Sequence, residues 1–173
     1  MIENFAIGIL SGFAASLCFI VFLYQLRPKI AISPEIGKRT VAGGTPLYTF
    51  KIINHSPYPI IDLRIELTLN TPRNIANGTI TDQVKLGNTE RFELDARGGS
   101  PEDRYGNEFW FTYRDDIEQL WDDNSQHIVL HVYARHSLSQ FSRTFSHRFN
   151  RKALCIKQGQ HINGTSLAVA VEA

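Results

Sequence analysis

The stretch Ile61 to Asn70, IDLRIELTLN, decides how the chain is read. Ile61, Leu63, Ile65, Leu67 and Leu69 alternate with Asp62, Arg64, Glu66, Thr68 and Asn70, a period of two that describes a strand with one buried and one wet face. The same alternation appears upstream in LYTFKII, where Tyr48, Phe50 and Ile52 share a face. Between the two, NHSPYP supplies the prolines and asparagine of a tight connection. Further strands are expected at Thr79 to Leu86, Thr89 to Leu94, Glu108 to Tyr113, His127 to Arg135, Gln140 to Phe149 and the closing SLAVAVE, separated by the turn-rich NTPRNIANG, ARGGSPEDRYGN and QGQHINGT. About eight short strands with this spacing predict a mainly β fold, an antiparallel sandwich. The register predicts Phe50, Ile65, Leu67, Phe111, Leu130 and Val132 as inward-facing. RDDIEQLWDD departs from period two: Ile117, Leu120 and Trp121 recur at three-to-four spacing, so one exposed helical turn is expected, capping an open end of the sandwich.

Outward from the strands, the N-terminus has a different character. No charged residue lies between Asn4 and Leu26, and residues 5–26 supply the ~20 apolar positions that cross a bilayer as a helix. A cleaved signal peptide needs a basic start and a small-x-small site. The start here is MIEN and the run ends in FLYQLRPK, so a retained transmembrane helix is expected. Arg27, Lys29, Lys38 and Arg39 all follow it, which places residues 1–4 outside and the rest in the cytoplasm, on a single pass through the cell inner membrane. Gly8, Gly12 and Ser16 recur every four residues; small residues in line let helices approach closely, though glycine is common in membrane helices generally. Residues 27–45, with Pro34 and VAGGTP, read as a basic juxtamembrane linker, and 46–173 as the β domain, the size of one core.

Chemistry is sparse. Lys+Arg 18 against Asp+Glu 17 gives a net charge of +1, which does not point to nucleic acid. Cys18 and Cys155 are too few and too differently placed for a disulfide framework. His127 and His131 form H-x-x-x-H, but four residues along a strand span ~13 Å, too far to share an ion. No nucleophile elbow, phosphate loop or dinucleotide fingerprint is present, so neither an enzyme nor a cofactor is expected. Glu102, Asp103, Glu108, Asp115, Asp116, Glu118, Asp122 and Asp123 form an acidic segment, read as a solvated face. From Val129 to Val171 there is no acid. Arg135, His136, Arg143 and Arg148 are therefore candidates for an anionic ligand, the alternative being that this basic third pairs with the acidic segment.

Taken in order, a membrane helix, RPK, LYTFKIINHSPYPIIDLRIELTL and HIVLHVYARHSLSQFSRTFSHRF resemble the cytoplasmic immunoglobulin-like domain of inward-rectifier potassium channels, over roughly Arg27 to Phe149. The resemblance implies an immunoglobulin-like sandwich, and it implies lipid-headgroup contacts at Arg27 and Lys29, which match the basic positions just inside the inner helix of those channels. There is one membrane helix here instead of two and no T-x-G-Y-G filter, so potassium selectivity has no source. The function expected is that of a membrane-anchored binding or sensor module, acting through oligomerisation and capture of membrane lipids or a membrane protein partner. The alternatives are a small membrane-disrupting effector of a bacterial defence system and a lipid- or nucleotide-binding regulatory subunit.

Overall fold

A computed structural model describes residues 2–41, 43–98 and 105–170, with side chains from residue 7 onward. The elements in chain order are α1 (Ile2–Gln25), β1 (Ile30–Thr40), β2 (Pro46–Asn54), β3 (Ile60–Ile75), β4 (Gly78–Leu94), β5 (Glu108–Tyr113), α2 (Ile117–Leu120), β6 (His127–His136), β7 (Ser142–Phe149), α3 (Lys152–Cys155), β8 (Ile156–Gln158), β9 (Gln160–His161) and β10 (Val169–Ala170). There are two four-stranded sheets, ordered β5-β2-β1-β8 and β4-β3-β6-β7, and a separate β10-β9 pair that packs beside the first. The β1–β8 pairing is parallel and the others are antiparallel. The protein is thus mainly β, with antiparallel sheets and one apolar N-terminal helix.

The alternation in β3 does what its spacing predicts. Ile65, Leu67 and Leu69 pair with Val132, Leu130 and Ile128 of β6, and all six side chains are buried. Facing them are Ile36, Tyr48, Phe50, Ile52, Phe111 and Tyr113 of the other sheet, in one continuous apolar core. The Phe50 ring bridges the layers, 5.9 Å from Phe111 beside it and 5.6 Å, edge-on, from Phe149 opposite. All six residues expected to face inward are buried.

Several boundaries differ from expectation. Residues 27–45 are not simply a linker: Ile30–Thr40 is β1, paired on both sides, and Pro34 sits at the bulge between Ile32 and Ile36, where its missing N–H removes no ladder bond. The phase of β3 slips at its start. Asp62 takes φ 51, pairing with β6 shifts between Ile61 and Arg64, and Ile60 instead of Ile61 becomes the buried residue. The two strands expected at Thr79 to Leu86 and Thr89 to Leu94 are one, β4. Gly87, in the expected break between them, lies within the strand, where a Cβ would come 3.2 Å from Phe111 Cζ. The helical turn α2 forms, with Asp116 accepting from the Glu118 and Gln119 amides. It is not simply an exposed cap, since Ile117 and Trp121 are driven into the core. Of SLAVAVE, Val169–Ala170 is strand; Val171 and Glu172, like Glu102 and Asp103, lie outside the described residues.

Past Asn70, β3 leaves β6 behind and pairs with β4 alone as far as Ile75 opposite Gly78. This two-stranded arm projects from the sheets with nearly every side chain exposed.

Candidate functional site: the foot of the helix

Helix α1 is long and apolar enough to cross a membrane over Ile7–Gln25, with mean hydropathy 2.2 and none of that window buried by the rest of the chain. A Cβ added at Gly8 or Gly12 meets nothing within 4 Å. The Ser11 and Ser16 hydroxyls donate back to the Gly8 and Gly12 carbonyls at 3.0 and 2.9 Å, which satisfies them within the helix.

Where α1 ends, two turns of the β domain grip the chain. Ser139 Oγ, in the β6–β7 turn, donates to the Leu26 carbonyl at 2.7 Å. The Lys29 amide donates to Ser56 Oγ at 2.9 Å, and the Lys29 carbonyl accepts from His55 N at 2.8 Å. Ser56, in the β2–β3 turn, is itself held by Asn54, a fully buried amide at the end of β2. Its Oδ1 accepts from Ser56 N at 2.7 Å, and its Nδ2 donates to the Asp95 carbonyl at 2.7 Å and the Tyr58 carbonyl at 3.1 Å. A buried amide with its polar atoms satisfied specifies one geometry. The sequon-like Asn54-His-Ser56 is therefore a structural device.

This grip builds a cleft of about 300 Å³ lined by Tyr24, Gln25, Arg27, Pro28, Lys29 and Arg143. Arg27 Nε donates to the Tyr24 carbonyl at 2.9 Å, and its guanidinium lies 3.1 Å from the centre of the Tyr24 ring. Arg143 reaches in from β7 and also lines an adjoining cleft with Ile30, Ile32 and His147. Among the described residues, neither cleft is lined by an acid. The structure thus brings the lipid-headgroup candidates Arg27 and Lys29 together with one anionic-ligand candidate, Arg143.

The remaining candidates do not join them. Arg135 lies on the outer face of β6 and pairs with Asp62 at 3.0 Å. Arg148 is five residues from Arg143 on β7, hence on the opposite face and ~16 Å along the strand. His136 is fully buried beneath Tyr58, its ring 5.5 Å edge-on, with Nδ1 accepting from Ser139 N at 3.3 Å; burial pushes its pKa down. It is a positioning residue for the turn and has no route to a ligand. Part of the basic third does meet the acidic segment. Lys152 donates through its amide to Asp123 and through Nζ to the Glu118 carbonyl; Lys38, from β1, also pairs with Glu118 at 2.7 Å. Among the described residues no group of three or more His, Cys, Asp or Glu side chains is placed to hold a metal.

Sequence reasoning missed Lys51. It sits between Phe50 and Ile52, on the face expected to be wet, and is nevertheless fully buried in an ion pair with Glu108. The segment after β9 covers it: Lys51 Nζ donates to the Ile162 and Gly164 carbonyls, and Gly164 N donates to Glu108 at 3.2 Å. His161, also buried, donates from Nε2 to the Thr49 carbonyl at 3.1 Å, and burial depresses its pKa. A lysine flanked by two core residues, with both a carboxylate and a histidine elsewhere in the chain, carries no local mark of this arrangement.

No family model matches the chain, and no curated protein matches its sequence. Solved structures give distant likenesses. One is Spo0M, a sporulation control protein from Bacillus subtilis, at 8% identity and TM-score 0.42 over 72% of this chain and 49% of that one. Another is DesR, a β-glucosidase from Streptomyces venezuelae, at 14% identity and TM-score 0.32 over 70% of this chain and 15% of that one. A third is the GH3 β-glucosidase of Bifidobacterium adolescentis, at 15% identity and TM-score 0.31 over 71% and 17%. This chain therefore spans about half of the first and a small part of the other two.

Proposed function

We propose that this chain is a single-pass, membrane-anchored binding module whose immunoglobulin-like sandwich faces the cytoplasm and takes anionic lipid headgroups at the foot of its helix. The observation that carries this reading is the acid-free cleft in which Arg27, Lys29 and Arg143 converge. Each basic side chain near an anionic leaflet contributes about 1 kcal/mol of attraction, and a guanidinium matches phosphate oxygens bidentately. The two sheets around one core are compatible with an immunoglobulin-like arrangement. The basic residues after α1 favour the cytoplasmic side for the domain. The unobstructed small-residue face at Gly8, Gly12 and Ser16 supports self-association of the helix.

The test uses the full chain reconstituted in vesicles with photoactivatable phosphatidylglycerol or phosphatidylcholine. Cross-links should favour phosphatidylglycerol, map to residues 24–29 and 143, and fall when Arg27, Lys29 and Arg143 are changed to Gln. Equal labelling by both lipids overturns the reading.

A further inference from the structure

Three large apolar side chains stand exposed on the two turns that grip the helix: Leu138 at 55%, Tyr58 at 41% and Phe141 at 37%. Single exposed hydrophobics are ordinary, but the position of these is not. Ser139, next to Leu138, is bonded to the carbonyl of Leu26, the last residue of the apolar run. If α1 spans a bilayer, that carbonyl lies at the edge of the hydrocarbon, and a side chain one residue away lies within reach of the same boundary.

The two turns act as one rigid surface. The Ser137 amide donates to the Pro59 carbonyl at 3.2 Å, the Tyr58 ring rests on His136, and the β6–β7 turn is closed by His136 N to Phe141 O at 2.9 Å and Gln140 N to His136 O at 3.0 Å. Gln140 takes φ 60 to make this closure, so the turn is built to hold this shape. Neither 54–59 nor 136–143 contains an acid, and Arg27, Lys29 and Arg143 stand beside them. Leucine and aromatic side chains next to cations are the composition of a surface that sits in the headgroup layer.

We infer that the turns carrying Tyr58, Leu138 and Phe141 dock into the interface of an anionic bilayer and plant the β domain on the membrane in one orientation. This rests on the membrane-anchored reading of α1. The docked surface is distinct from the headgroup cleft, since its contribution is apolar burial beside the helix. It leaves the tip of the β3–β4 arm, which lies at the opposite end of β3, about 50 Å along the strand from Ile60 to Ile75, pointing away from the bilayer.

The experiment places an environment-sensitive bimane label on single cysteines in the full chain, in phosphatidylcholine–phosphatidylglycerol vesicles with nitroxide-bearing lipid as quencher. Native Cys18, in a C155S background, reports on the helix; L138C reports on the turn and I75C on the tip of the arm, both in C18A/C155S. Y58C stands in for L138C if the latter misfolds. Blue-shifted, quenched emission at Cys18 and L138C with neither at I75C is the expected result. Quenching at Cys18 with L138C behaving like I75C overturns the docking while the membrane helix stands. No quenching at Cys18 overturns both.

Discussion

Strand β3 has two halves that share a backbone and a partner strand, yet differ in almost everything else. From Leu63 to Leu69 its apolar side chains are buried, because β6 pairs on one side and the second sheet covers the face. From Thr71 to Ile75 the sequence TPRNI, expected as part of a turn, no longer alternates; it stays paired with β4, but no second sheet extends that far, and Ile75, Ile80 and Val84 stand exposed. Strand pairing therefore sets which side chains share a face. Whether that face is covered depends on the length of the opposing layer.

The sharpest way to break this contrast is truncation in the covered half. Phe50→Ala should cost about 3–5 kcal/mol, because it removes the ring that bridges the layers and leaves a cavity. The measure is the denaturant midpoint of the full chain in detergent, and a loss below about 1 kcal/mol would mean that the layers are not packed as described.

Lys51 tests the same contrast with charge. Lys51→Ala leaves Glu108 buried without its cation and should cost about 3–5 kcal/mol, whereas Lys51→Met with Glu108→Leu should recover part of the loss. If the single and double variants unfold at the same midpoint, Glu108 is not held in the interior.

Titration comes next. The pKa values of His136, His147 and His161 are pushed down by burial, and His127 by burial and then Arg148. A depressed histidine pKa means that the unfolded chain binds more protons once pH falls below the ordinary value of about 6.5. Stability should be level above that value and decline as pH drops through it toward the folded values. His136→Gln should flatten part of the slope. A midpoint independent of pH between about 7.5 and about 5.5 would contradict the burial of these rings.

The smallest effect belongs to the uncovered half. Ile80→Ala should change stability by no more than about 0.5 kcal/mol. A loss near that of Phe50→Ala would show that the arm is covered in solution, for instance by another copy, and would close the gap between the two halves.

Much of this fold was legible because β3, β5 and β6 obey period two within runs long enough to fix the phase. Phe111, Leu130 and Val132 could be assigned inward from their neighbours alone. The failures have a common cause, contacts distant in sequence. Gly87 falls in an apparent break between two strands until Phe111 is known to press on it. Lys51 reads as wet until Ile162 to Gly164 fold over it. Arg143 was one basic residue among several, and only its placement across from Arg27 and Lys29 separates it from Arg135 and Arg148. At the start of β3, Asp62 breaks the phase with one left-handed residue that the pattern does not announce.

Strand β1 begins at Ile30, directly after the gripped residues Leu26 to Lys29, and is bonded to β2 on one side and to β8 on the other. There is almost no slack between helix and sheet. Inter-strand hydrogen bonds lie across the strand axis, so a pull between the membrane and the far arm loads these two ladders together, in shear, instead of unzipping them one bond at a time. The same coupling runs the other way. A tilt or rotation of the helix is delivered to β1, inside its sheet, as a rigid displacement, and anything that grasps the arm has a lever on the membrane segment.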